Sequence, residues 1–190
     1  MRALGIDPGT RYLGWGVIDS EGNRMSHVAH GVIRAHEQLP LAERLQLLEV
    51  GLVKVLEEHG PAAGSVETLF FHRDPQAAAK LGHARGVVLL CLQRAGVKIA
   101  EYAPALVKRS ITGSGRAGKD QVAMMVKTLL CLDAPPPSDA ADALALAVTH
   151  IRRGPIDERL AERAQRLPQL SVLPKSRLTK KRPRSRRARI

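Results

Sequence analysis

The chain has 190 residues, enough for one domain with a real core and short for two. Apolar residues make up 44% but aromatics only 3%, so Leu, Val, Ile and Ala must fill the interior, and no apolar run approaches the roughly 18 residues that a bilayer-spanning helix needs. The net charge of +12 is uneven: nine Lys or Arg and no acid fall between Lys175 and Ile190, which leaves a net of +3 on the rest.

The opening Met1-Arg2-Ala3-Leu4-Gly5-Ile6 leads into a charged turn and does not read as a signal peptide, so the expected location is the cytoplasm. Residues 3–6 form a short apolar strand, and Asp7-Pro8-Gly9-Thr10 is turn chemistry. Tyr12 to Asp19 is a second strand and 24–34 a third, so the chain begins as an antiparallel meander. Leu41, Leu45, Leu48, Leu52 and Val55 recur at helical spacing up to Gly60-Pro61. Ser65 to Phe70 is a short central strand. A long helix rich in small residues follows over 76–95, and 97–102 is a fifth strand. Helices are expected at about 104–111, 119–132 and 138–152, with a further short helix at 156–166. Cys91 and Cys131 lie in apolar helical stretches without a CxxC, which predicts buried free thiols rather than a zinc site. The order predicts an α/β layer fold with a mixed sheet. The expected division is a domain over 1–155, a linker with a short helix over 156–173, and a disordered basic tail over 174–190. That tail carries too little apolar surface to fold alone; it is read as a nucleic-acid arm or a solubilising segment.

Four carboxylates stand out. Asp7 ends the first strand beside a tight turn. Glu67 interrupts an apolar strand, where a charge is costly unless paired or bound to metal. Asp139 and Asp142, at i and i+3, share one face at the start of an Ala/Leu helix. If that helix packs over the strand ends, all four converge. Such oxygen ligands suit Mg²⁺ or Mn²⁺, and two ions about 4 Å apart would serve phosphodiester hydrolysis. Each acid also has an ordinary reading: Asp139 as a helix cap, Asp7 as an Asx-turn residue, Glu67 as one half of an ion pair.

Several blocks resemble the bacterial junction resolvase family RuvC. They are Gly5-Ile6-Asp7-Pro8-Gly9-Thr10 through Gly14-Trp15-Gly16, Val66-Glu67-Thr68-Leu69-Phe70, and Leu81-Gly82-His83-Ala84-Arg85-Gly86. Further on come Glu101-Tyr102-Ala103-Pro104, Val107-Lys108, Lys119-Asp120-Gln121-Val122 and Asp139-Ala140-Ala141-Asp142-Ala143-Leu144-Ala145. The likeness spans about residues 1–152. It implies an RNase H-like fold with a central mixed five-stranded sheet flanked by helices. It also implies a homodimer, metal-dependent symmetric nicking of four-way (Holliday) junctions, and the RuvA–RuvB branch-migration complex as a partner. On this resemblance Asp7, Glu67, Asp139 and Asp142 are the catalytic and metal-binding acids. Lys108 and Lys119 contact phosphates, and Phe70 is the aromatic that wedges against junction bases. Arg73 and Arg116 are further candidate DNA contacts. The chain departs from the family at Asp74-Pro75, which bears on base preference, and Phe71 can share or exchange the wedge role.

Without the resemblance, Lys108 reads as a solvated charge. The loop Gly113-Ser114-Gly115-Arg116-Ala117-Gly118 before Lys119 lacks the spacing of a nucleotide-binding loop but suits ordering on a DNA backbone. His72, His83 and His150 read as surface or satisfied core groups. A sugar-kinase or actin-like ATPase would need a second lobe that this length does not hold. The same acids would also suit an RNase H-like nuclease acting on structured RNA, and the same fold a non-catalytic junction-binding protein. One acid cluster per chain and two cuts per junction point to a two-fold dimer. The 76–95 helix, with Ala78, Ala79, Gly82 and Gly86, is the candidate interface; those small residues would equally suit tight packing on its own sheet.

Overall fold

The computed structural model describes residues 1–22, 24–68 and 75–166. Strands β1 (Arg2–Asp7), β2 (Tyr12–Glu21) and β3 (Arg24–Arg34) form the antiparallel meander expected from the turn signals. Helix α1 (Leu41–His59) buries Leu48, Leu52, Val55 and Leu56 and stops at Gly60, whose left-handed backbone donates its N–H to the Leu56 carbonyl. Strand β4 (Ala63–Glu67), helix α2 (Pro75–Arg94), strand β5 (Lys98–Tyr102) and helices α3 (Pro104–Thr112), α4 (Lys119–Leu129) and α5 (Ser138–Arg166) complete the chain.

The sheet order is β3-β2-β1-β4-β5, with β1 antiparallel to β2 and parallel to β4, and β4 parallel to β5. The mixed five-stranded sheet is therefore as expected, but β1 holds its centre. β4 starts two residues earlier than its apolar run suggests. Ala63 and Gly64 have weak strand preference, yet both are paired on two sides, to β1 and to β5, and double pairing overrides propensity. Past Glu67 the ladder ends with the Thr68 N–H on the Tyr102 carbonyl at 3.0 Å.

Two apolar clusters sandwich the sheet. Leu4, Ile6, Leu13, Val17 and Val66 meet α1 and α2 on one face. On the other, Ile18 and Tyr102 meet α3, α4 and α5. Helix α5 runs unbroken where two helices were expected. Gly154-Pro155 reads as a stop, since proline removes one backbone bond at a cost of about 3 kcal/mol. The buried Gly154 lies instead against the His150 ring, and the helix continues. Cys91 is buried as expected, but Cys131 is exposed: α4 ends at Leu129 and the chain turns with a positive φ of 52° at Cys131. His150 is a satisfied core group, its Nδ1 2.8 Å from the Tyr102 hydroxyl, whereas His83 is exposed. No helix among the described residues is long and apolar enough to cross a membrane. The basic tail and His72 lie outside the described residues.

Candidate active site

Asp7 and Glu67 reach one end of the sheet because β1 and β4 are parallel neighbours that end together. Ile6 and Val66 are paired and both point into the α1–α2 core. Alternation then turns Asp7 and Glu67 to the opposite face, under α5. Helix α5 approaches that face to backbone distance. A Cβ at Gly5 would fall on the Ala143 carbonyl, and one at Gly14 on the Asp139 carbonyl. Ala140, Ala143 and Ala147 are fully buried and keep the helix side of the contact equally thin. The first turns of α5 thus lie over the end of β1, and Asp142 comes down beside Asp7.

Asp7, Glu67 and Asp142 line one cleft of about 420 Å³ together with Lys108 of α3 and Lys119 at the start of α4. Pro104, Val107, Val122 and Leu146 make its apolar walls. Asp139 sits one turn before Asp142, outside that lining, yet close enough for its charge to act on both Asp7 and Asp142. Burial is the main cause that lifts the Asp7 carboxyl to about 7. Repulsion from Asp142, Glu67 and Asp139 adds to it, and Lys119 opposes it. Burial likewise raises Asp142, against the pull of Lys119, whose Nζ stands 3.6 Å from its Oδ2. Among the described residues no three His, Cys, Asp or Glu side chains form a ready-made metal cage; these carboxylates share a cleft rather than a point. Their donors are all hard oxygens, and their mutual repulsion is what a divalent cation relieves, so the set fits Mg²⁺ or Mn²⁺ rather than a softer metal.

The expected residues are distributed unevenly. Asp7, Glu67, Asp142, Lys108 and Lys119 come together in the cleft, with Asp139 at its margin. Arg116 is exposed in the loop between α3 and α4, its N–H donating to Ser114 Oγ at 3.3 Å, and it does not line the cleft. Phe70 and Arg73, with Phe71 and Asp74, lie outside the described residues. One contributor escaped the sequence reading. Arg85 of α2 donates through Nε to the Glu67 carbonyl at 3.3 Å and pairs with Glu101 of β5, clamping the end of β4. Its sequence signal is its place in the block Leu81-Gly82-His83-Ala84-Arg85-Gly86, an Arg among small residues.

A family model described as "Crossover junction endodeoxyribonuclease RuvC" matches residues 3–150. The chain is similar to the protein of that name from Sorangium cellulosum, with 58% identity over 151 residues that cover 80% of this chain and 84% of the relative. Among solved structures it resembles that of T. thermophilus RuvC in complex with Holliday junction substrate. The TM-score is 0.78 and the identity 38%, covering 83% of this chain and 96% of that one. The yeast mitochondrial Holliday junction resolvase Ydc2 is 13% identical with a TM-score of 0.58 over 87% of this chain and 86% of that one, a likeness of fold. The five-stranded mixed sheet with its flanking helices is an RNase H-like fold.

Proposed function

Because the chain belongs to the RuvC family of crossover junction endodeoxyribonucleases, we propose that it resolves four-way DNA junctions by paired nicks in opposing strands, in recombination and DNA repair, with Asp7, Glu67, Asp139 and Asp142 as the catalytic acids. The observation that carries this reading is the cleft in which three of those acids face two lysines. Nucleases of this family are metal-dependent. Mg²⁺, two ions per site with Mn²⁺ as the substitute, would supply the charge that acidifies a water and steadies the leaving 3′-oxygen.

The side chains divide the remaining work. Asp7 and Glu67 present oxygen donors from the sheet face that α5 shields, Asp142 presents its own from α5, and Asp139 adds negative charge from one turn earlier. Lys108 and Lys119 hold backbone phosphates beside the cut. Lys119 is 74% exposed and only loosely paired with Asp142, so its turn toward a phosphate costs little. Arg116 takes a further phosphate from the outer loop, Phe70 contacts the junction bases, and Arg73 is a further DNA contact. The basic tail adds affinity that does not depend on DNA shape.

Two cuts need two clefts, so the working unit is a homodimer, and α2 is its interface. Its inner face packs Ala84, Val88, Cys91 and Leu92 into the core. Its outer face leaves Ala79, Gly86 and Leu90 exposed, with open space above Gly82 and Gly86, beside the exposed Val50 and Val53 of α1. The dimer works in the cytoplasm with the RuvA–RuvB complex. The test is a nicking assay with Mg²⁺ on a four-way junction, a duplex and a hairpin RNA. Paired cuts in the junction alone are expected. Preferential cutting of the hairpin, or junction binding without cutting at any Mg²⁺ or Mn²⁺ concentration, would replace this reading.

A further inference from the structure

A second cleft opens at the same end of the sheet, outside the carboxylate site. It has a volume of about 570 Å³ and is lined by Arg11, Tyr12, Arg34, Ala35, His36 and Glu37. Strand register locates it. Asp7 pairs with Gly14, which pairs with Val32; one step further out, Tyr12 pairs with Arg34. Paired residues share a face of the sheet, and so do residues two apart in a strand. Tyr12 and Arg34 therefore lie on the α5 face, as Asp7 does, just beyond the helix turn that covers Gly14. With strands about 4.8 Å apart and about 3.3 Å per residue, the Cα of Arg34 is about 12 Å from that of Asp7. In the order β3-β2-β1-β4-β5, Tyr12 and Arg34 stand on one side of Asp7. Glu67 stands on the other, in the cleft it shares with Lys108 and Lys119.

Among the described residues neither the Tyr12 nor the Arg34 side chain has a hydrogen-bond or ion-pair partner. Arg11 is paired with Glu37, but among the described residues the Arg34 guanidinium has no hydrogen-bond or ion-pair partner. Tyr12 is 50% exposed in a chain that has only two Phe, two Tyr and one Trp. A core so poor in aromatics gains much from each one it buries; Tyr102 is buried and Trp15 packs on the core, yet Tyr12 stays at the rim. A guanidinium without a partner among the described residues, whose fork suits a phosphate, stands directly across a strand pair from a half-exposed aromatic ring, which suits a base.

We propose that Tyr12 and Arg34 form a second contact for the substrate strand, on the opposite side of the carboxylates from Lys108 and Lys119, with Arg34 on a backbone phosphate and Tyr12 stacked on an exposed base. The strand being cut then crosses the acids held on both sides, which fixes the scissile phosphate over Asp7 and Asp142. This rests on the nuclease reading above and adds to it the path of the strand.

The test uses the full chain carrying Asp7→Asn, expected to bind without cutting, and a four-way junction with 2-aminopurine at successive positions on either side of the wild-type cut. Arg34→Gln should lower the slope of log affinity against log salt by about 0.7–0.9, the share of one phosphate contact, and Arg34→Lys should restore it. Tyr12→Leu should remove the fluorescence quench at one 2-aminopurine position and weaken binding by about 5- to 150-fold, while Tyr12→Phe keeps both. Thermal melts matching the parent separate these effects from misfolding. An unchanged salt slope in Arg34→Gln, or an unchanged quench pattern in Tyr12→Leu, overturns the contact while the resolvase reading stands. A wild-type chain that neither cuts nor prefers the junction overturns that reading and the contact with it.

Discussion

The backbone carbonyl of Asp139 occupies the space that a β-carbon on Gly14 would need. Helix and sheet meet there without a side chain between them, and this contact sets the height of the Asp139–Asp142 turn above Asp7. Gly14→Ala must push α5 outward. Overpacking of this kind costs about 1–3 kcal/mol, and a displacement of about 1 Å at reacting groups costs about a hundredfold in rate. The expected result is a lower melting temperature with cleavage of a four-way junction reduced by about a hundredfold, read by single-turnover kinetics. Wild-type rates in a destabilised variant would show that the site tolerates the shift.

The four acids give a sharper expectation. Asp7→Asn, Glu67→Gln, Asp139→Asn and Asp142→Asn should each lower cleavage by more than about a hundredfold, comparable to removing one preorganised electrostatic group. Junction affinity in a gel-shift assay should hold or rise, because phosphate contacts made elsewhere carry the binding. Asp139 is the discriminating case, since it stands outside the cleft lining. Near-normal cleavage by Asp139→Asn would reduce it to a helix-capping residue.

The Asp7 carboxyl, held at about 7 chiefly by burial and then by its acidic neighbours, makes the metal-free protein pH-sensitive. The unfolded chain titrates near the ordinary aspartate value of about 3.9. The folded state therefore holds the proton more tightly. The resulting stability is fully present below about pH 4 and is lost as pH rises through about 7. In a chelator, Asp7→Asn should melt with the wild type at about pH 4 and progressively above it as pH rises to about 7. Added Mg²⁺ should narrow that gap by stabilising the wild type. A gap that is constant across pH would show that Asp7 does not titrate in this range.

Assembly is tested by mixing. Light scattering at micromolar concentration should report twice the 20.6 kDa chain mass. Wild-type chains mixed with excess Asp7→Asn chains should then leave junctions nicked on one strand only. Paired cuts in proportion to the wild-type chains would mean that each site acts alone.

What the sequence determined by itself is local. Strand and helix positions followed from apolar spacing and from the glycine and proline turns, because each depends on neighbours a few residues away. The blocks around Asp7, Glu67, Asp139 and Asp142 were legible for the same reason: each is a contiguous run. Where distant segments meet, the same reading fell short. β4 begins at Ala63 because two neighbouring strands pair with it, and α5 passes through Gly154-Pro155 where local rules place a stop. That Arg85 grips the end of β4, that Asp142 descends beside Asp7 while Asp139 stays at the margin, and that Tyr12 faces Arg34 beyond them were decided by tertiary structure alone. Each depends on strand register and on how closely a helix can approach a sheet, and those are set by contacts between residues far apart in the chain.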